Sequence, residues 1–200
     1  MKGIDRFIRN QRIAQATRFI RPGSRVFDIG CHDGELFRVI GPALRDGVGL
    51  DPDLAGSLSG PNYALRPGTF PDDAPDEAGT FDAVCALAVL EHVRAGERAD
   101  FAAAAARLLR PGGEAVLTVP APAVDRLLDV MIRLRVLDGM EADQHHGFQT
   151  SEVEPLFVSA GFVLERHETF QVGLNHLFVF RKPLEEVSGR PAPSDAHRGT

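Results

Sequence analysis

The chain has 200 residues, 44% of them apolar and 25% charged, with a net charge of −6, which is the composition of one globular domain with a substantial core. The acidic balance argues against non-specific attachment to nucleic acid or anionic lipid. No apolar run is long enough to cross a bilayer, and two cysteines, Cys31 and Cys85, are too few for a disulfide scaffold.

The first fifteen residues, MKGIDRFIRNQRIAQ, lack the apolar core of a secretion signal because charges interrupt every hydrophobic run. A cytoplasmic protein is expected. Within residues 1–21, Asp5 to Ile20 places apolar side chains at roughly helical spacing and predicts an amphipathic helix, stopped at Pro22-Gly23. Arg25 to Ile29 is a short buried strand, Glu35 to Leu44 a helix, and Val48 to Leu50 a second strand ending at Asp51. A weak helical turn over Asp53 to Leu58 and a weak strand over Tyr63 to Leu65 follow, then a buried strand over Phe81 to Leu87. Ala99 to Leu109 reads as a helix closed by Pro111-Gly112-Gly113, Ala115 to Val119 as a strand, and Val124 to Leu137 as a long helix. Ser151 should cap a helix through Ala160, with Glu154 at capping-box spacing and Gly161 at its end. Phe162 to Phe170 and Gly173 to Phe180 are two final strands, and residues 184–200, rich in Pro, Ser and charge, are expected to be disordered.

Strands alternating with helices predict an α/β fold, a Rossmann-like doubly wound sheet, mostly parallel and covered on both faces. The last two strands have no helix between them and should pair antiparallel at one edge. In such a sheet the ligand lies beyond the carboxyl ends of the strands, at the switch point beside the first one. The loop Gly30 to Gly34 belongs there.

That loop, in VFDIGCHDGELF, has His32 and Glu35 where a dinucleotide fingerprint needs glycines, and no Gly-Lys-Ser/Thr ending of a phosphate loop. A pyrophosphate would meet the acids Asp33 and Glu35. A cationic ligand fits better, since Asp28 and its neighbours would attract it. Asp51, at the end of the second strand, can accept hydrogen bonds from both hydroxyls of a ribose. A nucleoside joined to a cationic, amino-acid-like group and free of phosphates describes S-adenosylmethionine.

VFDIGCHDGEL, GLDPD, FDAVCALAVLEHV and LLRPGGEAVLTVP resemble, in order and spacing, the successive motifs of class I S-adenosylmethionine-dependent methyltransferases, over Gly23 to Pro183. The resemblance implies a seven-stranded sheet whose last strand is antiparallel, in a single domain over residues 1–183. It also implies that Asp28, Gly30, Cys31 and Gly34 form the loop under the methionine part. Asp51 would bind the ribose hydroxyls, Pro52 would flank the adenine, and Gly68-Thr69-Phe70 would line it. Ala86 and Leu87 would offer backbone contacts to the cofactor's amino end. Two positions depart from the pattern: His32, where a second glycine is frequent and which could reach the cofactor carboxylate, and Thr69, where many relatives have Asp.

Methyl transfer from a sulfonium needs alignment of the acceptor and exclusion of water, and an oxygen acceptor usually needs a base. His92, in LEHV, and the vicinal His145 and His146 are the candidates, against the alternative that they cap helices or anchor loops. Some quinone O-methyltransferases hold a divalent metal with an additional Glu three residues before the Glu-His pair. Ala88 stands there, so no metal is expected. The expected function is methyl transfer to a small-molecule acceptor, most readily an oxygen, without nucleic acid or membrane insertion, with oligomerisation open. A non-catalytic adenosylmethionine-binding protein, a nucleic-acid methyltransferase and a nicotinamide dehydrogenase are the alternatives. The second of these lacks an Asn/Asp-Pro-Pro-aromatic motif at Ala86 to Val89.

Overall fold

The structure, a computed structural model, describes residues 2–121 and 148–184. The long helix expected over Val124 to Leu137, the histidines His145 and His146, and the tail beyond residue 184 lie outside the described residues.

Eight strands form one sheet: β1 (Arg25–Ile29), β2 (Asp46–Asp51), β3 (Leu58–Ser59), β4 (Tyr63–Pro67), β5 (Phe81–Leu87), β6 (Leu109–Pro120), β7 (Val163–Phe170) and β8 (Asn175–Arg181). Their spatial order is β3-β4-β2-β1-β5-β6-β8-β7. The ladders β4-β2, β2-β1, β1-β5 and β5-β6 are parallel, and β8 runs antiparallel to both β6 and β7. The expected antiparallel pair at one edge is present. The sheet has one strand more than the seven expected, because Leu58-Ser59 pairs antiparallel with Ala64 and Leu65 on β4. The sequence there reads as a helical turn, but Gly56 and Gly60 break any helical run and the extended segment closes on β4 instead.

The helices are α1 (Lys2–Thr17), α2 (Glu35–Ile40), α3 (Arg98–Leu108) and α4 (Val153–Ser159). Alternation along each strand sends side chains to opposite faces. One face buries Phe27, Val84, Leu117, Phe178 and Phe180 against Phe101, Leu108 and Phe157 of α3 and α4. The other buries Val26, Cys85, Val116 and Val179 against Ile13 and Ala16 of α1 and Leu36 and Phe37 of α2. Alanines at 102 and 105 are fully covered, so α3 approaches its face closely, and the ring of Phe157 stacks on Phe180 at 4.8 Å to fix α4.

Three element boundaries differ from expectation for local reasons. α2 stops at Ile40 because Pro42 has no N–H to continue it and disfavours helical geometry at Gly41. The capping box expected at Ser151 and Glu154 does not form: the chain enters α4 through a 3₁₀ turn, Thr150–Glu152, so Ser151 already lies inside the turn. β6 begins at Leu109, six residues early, since Leu109 pairs with Phe81 before the register shifts and Ala83 meets Glu114.

Asp82 fills the gap left by that shift. Its carboxylate accepts from the Arg25 amide at 2.7 Å, from Arg110 Nε at 2.6 Å and from Arg45 Nη2 at 3.3 Å. Burial pushes its pKa up, but the Arg25 amide and the arginines outweigh that and hold it below the usual carboxylate range. Asp82→Ala is therefore expected to cost about 1–3 kcal/mol, the penalty for stranding a partly buried donor, read as a lower urea midpoint with unchanged slope.

Candidate functional site

β1 lies at the switch point of the sheet. The chain steps from it to β2 and β4 on one side, then returns to β5 and β6 on the other. At the carboxyl end of β1, Ile29 is in register with Leu50 on β2 and Ala86 on β5. A crevice is therefore expected above this point.

The turn that leaves β1 is built by two glycines. Gly30 has φ +71° and Gly34 +77°, a region that side chains enter at a cost. The amides of Gly30 and Cys31 both donate to Leu50 O, at 2.8 and 3.3 Å, and tie the turn to β2. A Cβ on Gly30 would stand 2.6 Å from Val89 Cγ2, and one on Gly34 3.0 Å from Leu65 Cδ1. Gly30→Ala should therefore lower the melting temperature by several degrees, from a φ penalty of about 1–2 kcal/mol plus the clash. Ligand affinity should fall with it, as checked by thermal denaturation and calorimetry.

His32 adopts φ +48°, the conformation a second glycine would take. Its amide donates to Asp51 Oδ2 at 2.8 Å, and Asp51 Oδ1 accepts from the Asp53 amide at 2.9 Å. These two bonds fix the Asp51 carboxylate at the tip of β2 and leave further acceptor positions on each oxygen. The His32 ring stays 70% exposed, 3.3 Å from Asp33 Oδ1.

The acids of the turn are of two kinds. Asp33 and Glu35 are engaged by Arg38, at 3.0 and 2.5 Å, and Arg9 lies 3.6 Å from Asp33. Burial raises the pKa of Asp33, but Arg38 and Arg9 more than reverse it. Their charge is thus spent inside the protein, which corrects the expectation that they select the ligand. Asp28 and Asp51 are the other kind, 4% and 7% exposed. Burial, and secondarily the charge of Asp51, push the Asp28 pKa well above its ordinary value. An anionic Asp28 is therefore costly until a cation approaches. Cys31 is buried, and desolvation followed by the charges of Asp28 and Asp51 pushes its thiol up to about 12, so it packs the turn as an unreactive neutral group.

On the far side of β2, the Gly68 amide donates to Asp51 O at 3.2 Å and holds the segment after β4 at the end of β2, where Pro52 is exposed. The Thr69 amide donates to Asp73 Oδ2 at 2.8 Å. Asp73, which no sequence motif marks, ties this loop down by accepting from an amide four residues earlier in the chain. The Phe70 ring points into the core, 4.9 Å from Phe101 and 5.9 Å from Phe27, so only its backbone is available to a ligand. On β5, Ala86 is buried and Leu87 half-buried. Asp28, Gly30, Cys31, His32, Gly34, Asp51, Pro52, Thr69, Ala86 and Leu87 thus gather around the ends of β1, β2, β4 and β5.

The chain matches a family model described as a methyltransferase domain over residues 4–167. The chain belongs to the methyltransferase family. This methyltransferase is 28% identical over 186 residues to the ubiquinone biosynthesis O-methyltransferase of Methylococcus capsulatus, covering 80% of the chain and 78% of the relative. Among solved structures it resembles a methyltransferase in complex with the Haloferax volcanii Trm112 methyltransferase activator, at TM-score 0.70 and 15% identity, covering 91% and 93% of the two chains. It also resembles phosphoethanolamine N-methyltransferase 2 of Haemonchus contortus in complex with S-adenosyl-L-methionine, at TM-score 0.59 and 16% identity, covering 87% of the chain and 52% of that protein. At these identities the structural likeness concerns the fold.

The residues gathered at these strand ends fit S-adenosylmethionine, the cofactor that the sequence motifs imply. A fixed carboxylate at the tip of β2 suits a ribose diol, and the costly Asp28 suits a cation. The turn between them packs closely against Val89 and Leu65 because positions 30 and 34 lack a Cβ.

The histidines are placed unevenly. His92 ends a 3₁₀ turn, Leu90–His92, and is exposed, while its neighbour Glu91 is 2% exposed and turned inward. His145 and His146 lie outside the described residues. Among the described residues, no group of three or more His, Cys, Asp or Glu could hold a metal ion. None of the described helices is long and apolar enough to cross a membrane. Two histidines not singled out from the sequence meet on the terminal hairpin: His167 Nε2 lies 2.9 Å from His176 Nδ1. No motif marks them, because strand pairing rather than spacing brings them together.

Proposed function

We propose that this methyltransferase acts on an oxygen of a small-molecule acceptor. The observation that carries the reading is the pair of buried carboxylates, Asp28 and Asp51, at adjacent strand ends beside a turn without side chains at positions 30 and 34. The relative named a ubiquinone biosynthesis O-methyltransferase supports oxygen as the acceptor atom. The net charge of −6 speaks against a nucleic-acid substrate, whose phosphates it would repel.

When bound, S-adenosylmethionine supplies a methyl group already activated by its positive sulfur. What the chain itself must do is orient and enclose. In this reading Asp51 accepts from the ribose hydroxyls, and the amide of His32, donating to Asp51, fixes the direction in which it accepts. Asp28 offers negative charge to the methionine end. The turn Gly30–Gly34 lets the backbone approach, and Pro52, Thr69 and the Phe70 backbone flank the base. The backbone of Ala86 and Leu87 meets the amino end. A hydroxyl acceptor must lose its proton as the new C–O bond forms, and His92, His145 and His146 are the candidate bases.

The test is label transfer from methyl-tritiated S-adenosylmethionine to a panel of catechols, amines, thiols and bulk tRNA. The reading expects the label in a methyl ether of a catechol. Label found only in tRNA or only in amines would contradict it. Each histidine replaced by Ala, assayed at saturating cofactor, identifies the base by a loss of kcat of about 100-fold or more.

A further inference from the structure

Beyond the cofactor crevice, a second group of polar side chains lies on the same face of the sheet, under α1. Thr118, near the end of β6, shares that face with Val116, which packs against Ile13 and Ala16 of α1. Thr118 is 0% exposed, and its hydroxyl has no hydrogen-bond partner, a costly state for a buried polar group. Thr118 pairs with Leu177 and Pro120 with Asn175. Asn175 is thus the diagonal neighbour of Thr118 on that face, within about 8 Å.

Asn175 is 3% exposed and held from two sides. Arg12 Nε, on α1, donates to its Oδ1 at 3.0 Å, and its Nδ2 donates to Gln171 Oε1. The second atom pair of that glutamine is open: Gln171 Nε2 is buried without a partner. Gln171 is also strained. It has φ +52° and is followed by Val172 at +58°, a conformation that is rare for a β-branched residue. Strain at a hairpin that presents an unsatisfied amide suggests that the amide has a use.

The group is close enough to the cofactor to serve it. Asp28 is in register with Cys85, Cys85 with Val116, and Leu87 with Thr118. Thr118 is therefore two strands across from Asp28 and two residues further along, on the order of 12 Å away. Burial lowers the pKa of the Arg12 guanidinium, and the charge of Glu91 offsets this only in part. With Asp28 nearby, a further anion would be repelled.

We infer that Thr118 and Gln171, held through Asn175 and Arg12, form the subsite that recognises the methyl acceptor, and that it takes an uncharged molecule presenting a carbonyl or hydroxyl oxygen. The inference rests on the methyltransferase reading of the neighbouring crevice. The Gln171 amide donates to that oxygen, and the Thr118 hydroxyl donates to it or accepts from an adjacent hydroxyl. This gives two hydrogen bonds without a net charge to neutralise.

The test uses two probes that differ in charge, 3,4-dihydroxybenzaldehyde and 3,4-dihydroxybenzoate, titrated by NMR and calorimetry into the full chain saturated with S-adenosylhomocysteine. The aldehyde should bind at least about tenfold more tightly than the carboxylate. Thr118→Val, which keeps the shape, and Gln171→Ala, on a half-exposed hairpin, should each weaken aldehyde binding about fivefold to tenfold, while S-adenosylhomocysteine affinity stays within about twofold. Aldehyde that does not bind, carboxylate that binds better, or both variants matching the wild type would each overturn the subsite with the cofactor reading intact. Failure of S-adenosylhomocysteine to bind the wild type would overturn both.

Discussion

Asp51→Ala binds S-adenosylhomocysteine about 100-fold or more weakly than the wild type, measured by calorimetry at fixed pH and salt. Two losses combine. The variant removes a carboxylate that would accept from both ribose hydroxyls, and hydrogen bonds to a charged group are worth about 1.5–3 kcal/mol each. It also frees the His32 amide, now held at 2.8 Å, and with it a residue at φ +48° that has little other reason to stay there. Asp51→Asn separates the two. It keeps an acceptor for the His32 amide but loses the charge and one acceptor position, so its defect should be intermediate, about tenfold, with the turn intact by amide hydrogen exchange.

Asp28→Asn has effects of opposite sign on stability and binding. Burial, then the charge of Asp51, raise the Asp28 pKa in the folded protein well above its unfolded value. The folded state therefore holds its proton more tightly than the unfolded chain does. Ligand-free wild type gains stability as pH falls through the raised value and gives it up as pH rises. The variant cannot ionise and loses this pH dependence. At pH 8 its ligand-free melting temperature should exceed that of the wild type by about 2–4 °C, the shift that roughly 1 kcal/mol produces in a chain of this size. Affinity for S-adenosylmethionine should fall about tenfold or more, because the negative charge that offsets a cation is gone. A cation also pulls the Asp28 pKa down. Binding to wild type near the raised pKa should therefore release a proton, seen as a heat that depends on the buffer, and the variant should lack it. A variant that is less stable and binds normally would refute this role for Asp28.

Much of the sheet was legible because its parallel character follows from strand–helix alternation and from the runs around Val26 to Ile29 and Phe81 to Leu87, which are buried on both faces. The antiparallel end was legible from the missing helix between the last two strands. What the sequence hid was set by pairing over distance. The two-residue β3 carries no periodic signal and exists because β4 lies beside it. The early start of β6 depends on Asp82 accepting from three separate segments.

The candidate site divides in the same way. Gly30, Gly34 and Asp51 announce themselves, since a turn after a strand and an acid at the next strand end are local patterns. That Asp33 and Glu35 belong to Arg38 was not visible, because many residues could have claimed them. The inward turn of Glu91 and outward turn of His92 depend on one 3₁₀ turn. Arg12, Thr118, Gln171 and Asn175 come from three regions of the chain and share a site only because α1 crosses the face that β6 and β8 present.

The most direct single measurement is calorimetric titration of S-adenosylhomocysteine into the purified chain and into Asp51→Ala in parallel, with NAD as the comparison ligand. Saturable heat from S-adenosylhomocysteine in the wild type, about 100-fold weaker binding in the variant, and silence from NAD are the predicted outcome. Heat from NAD but none from S-adenosylhomocysteine, or equal affinity in the two proteins, would contradict a crevice built on the Asp51 carboxylate.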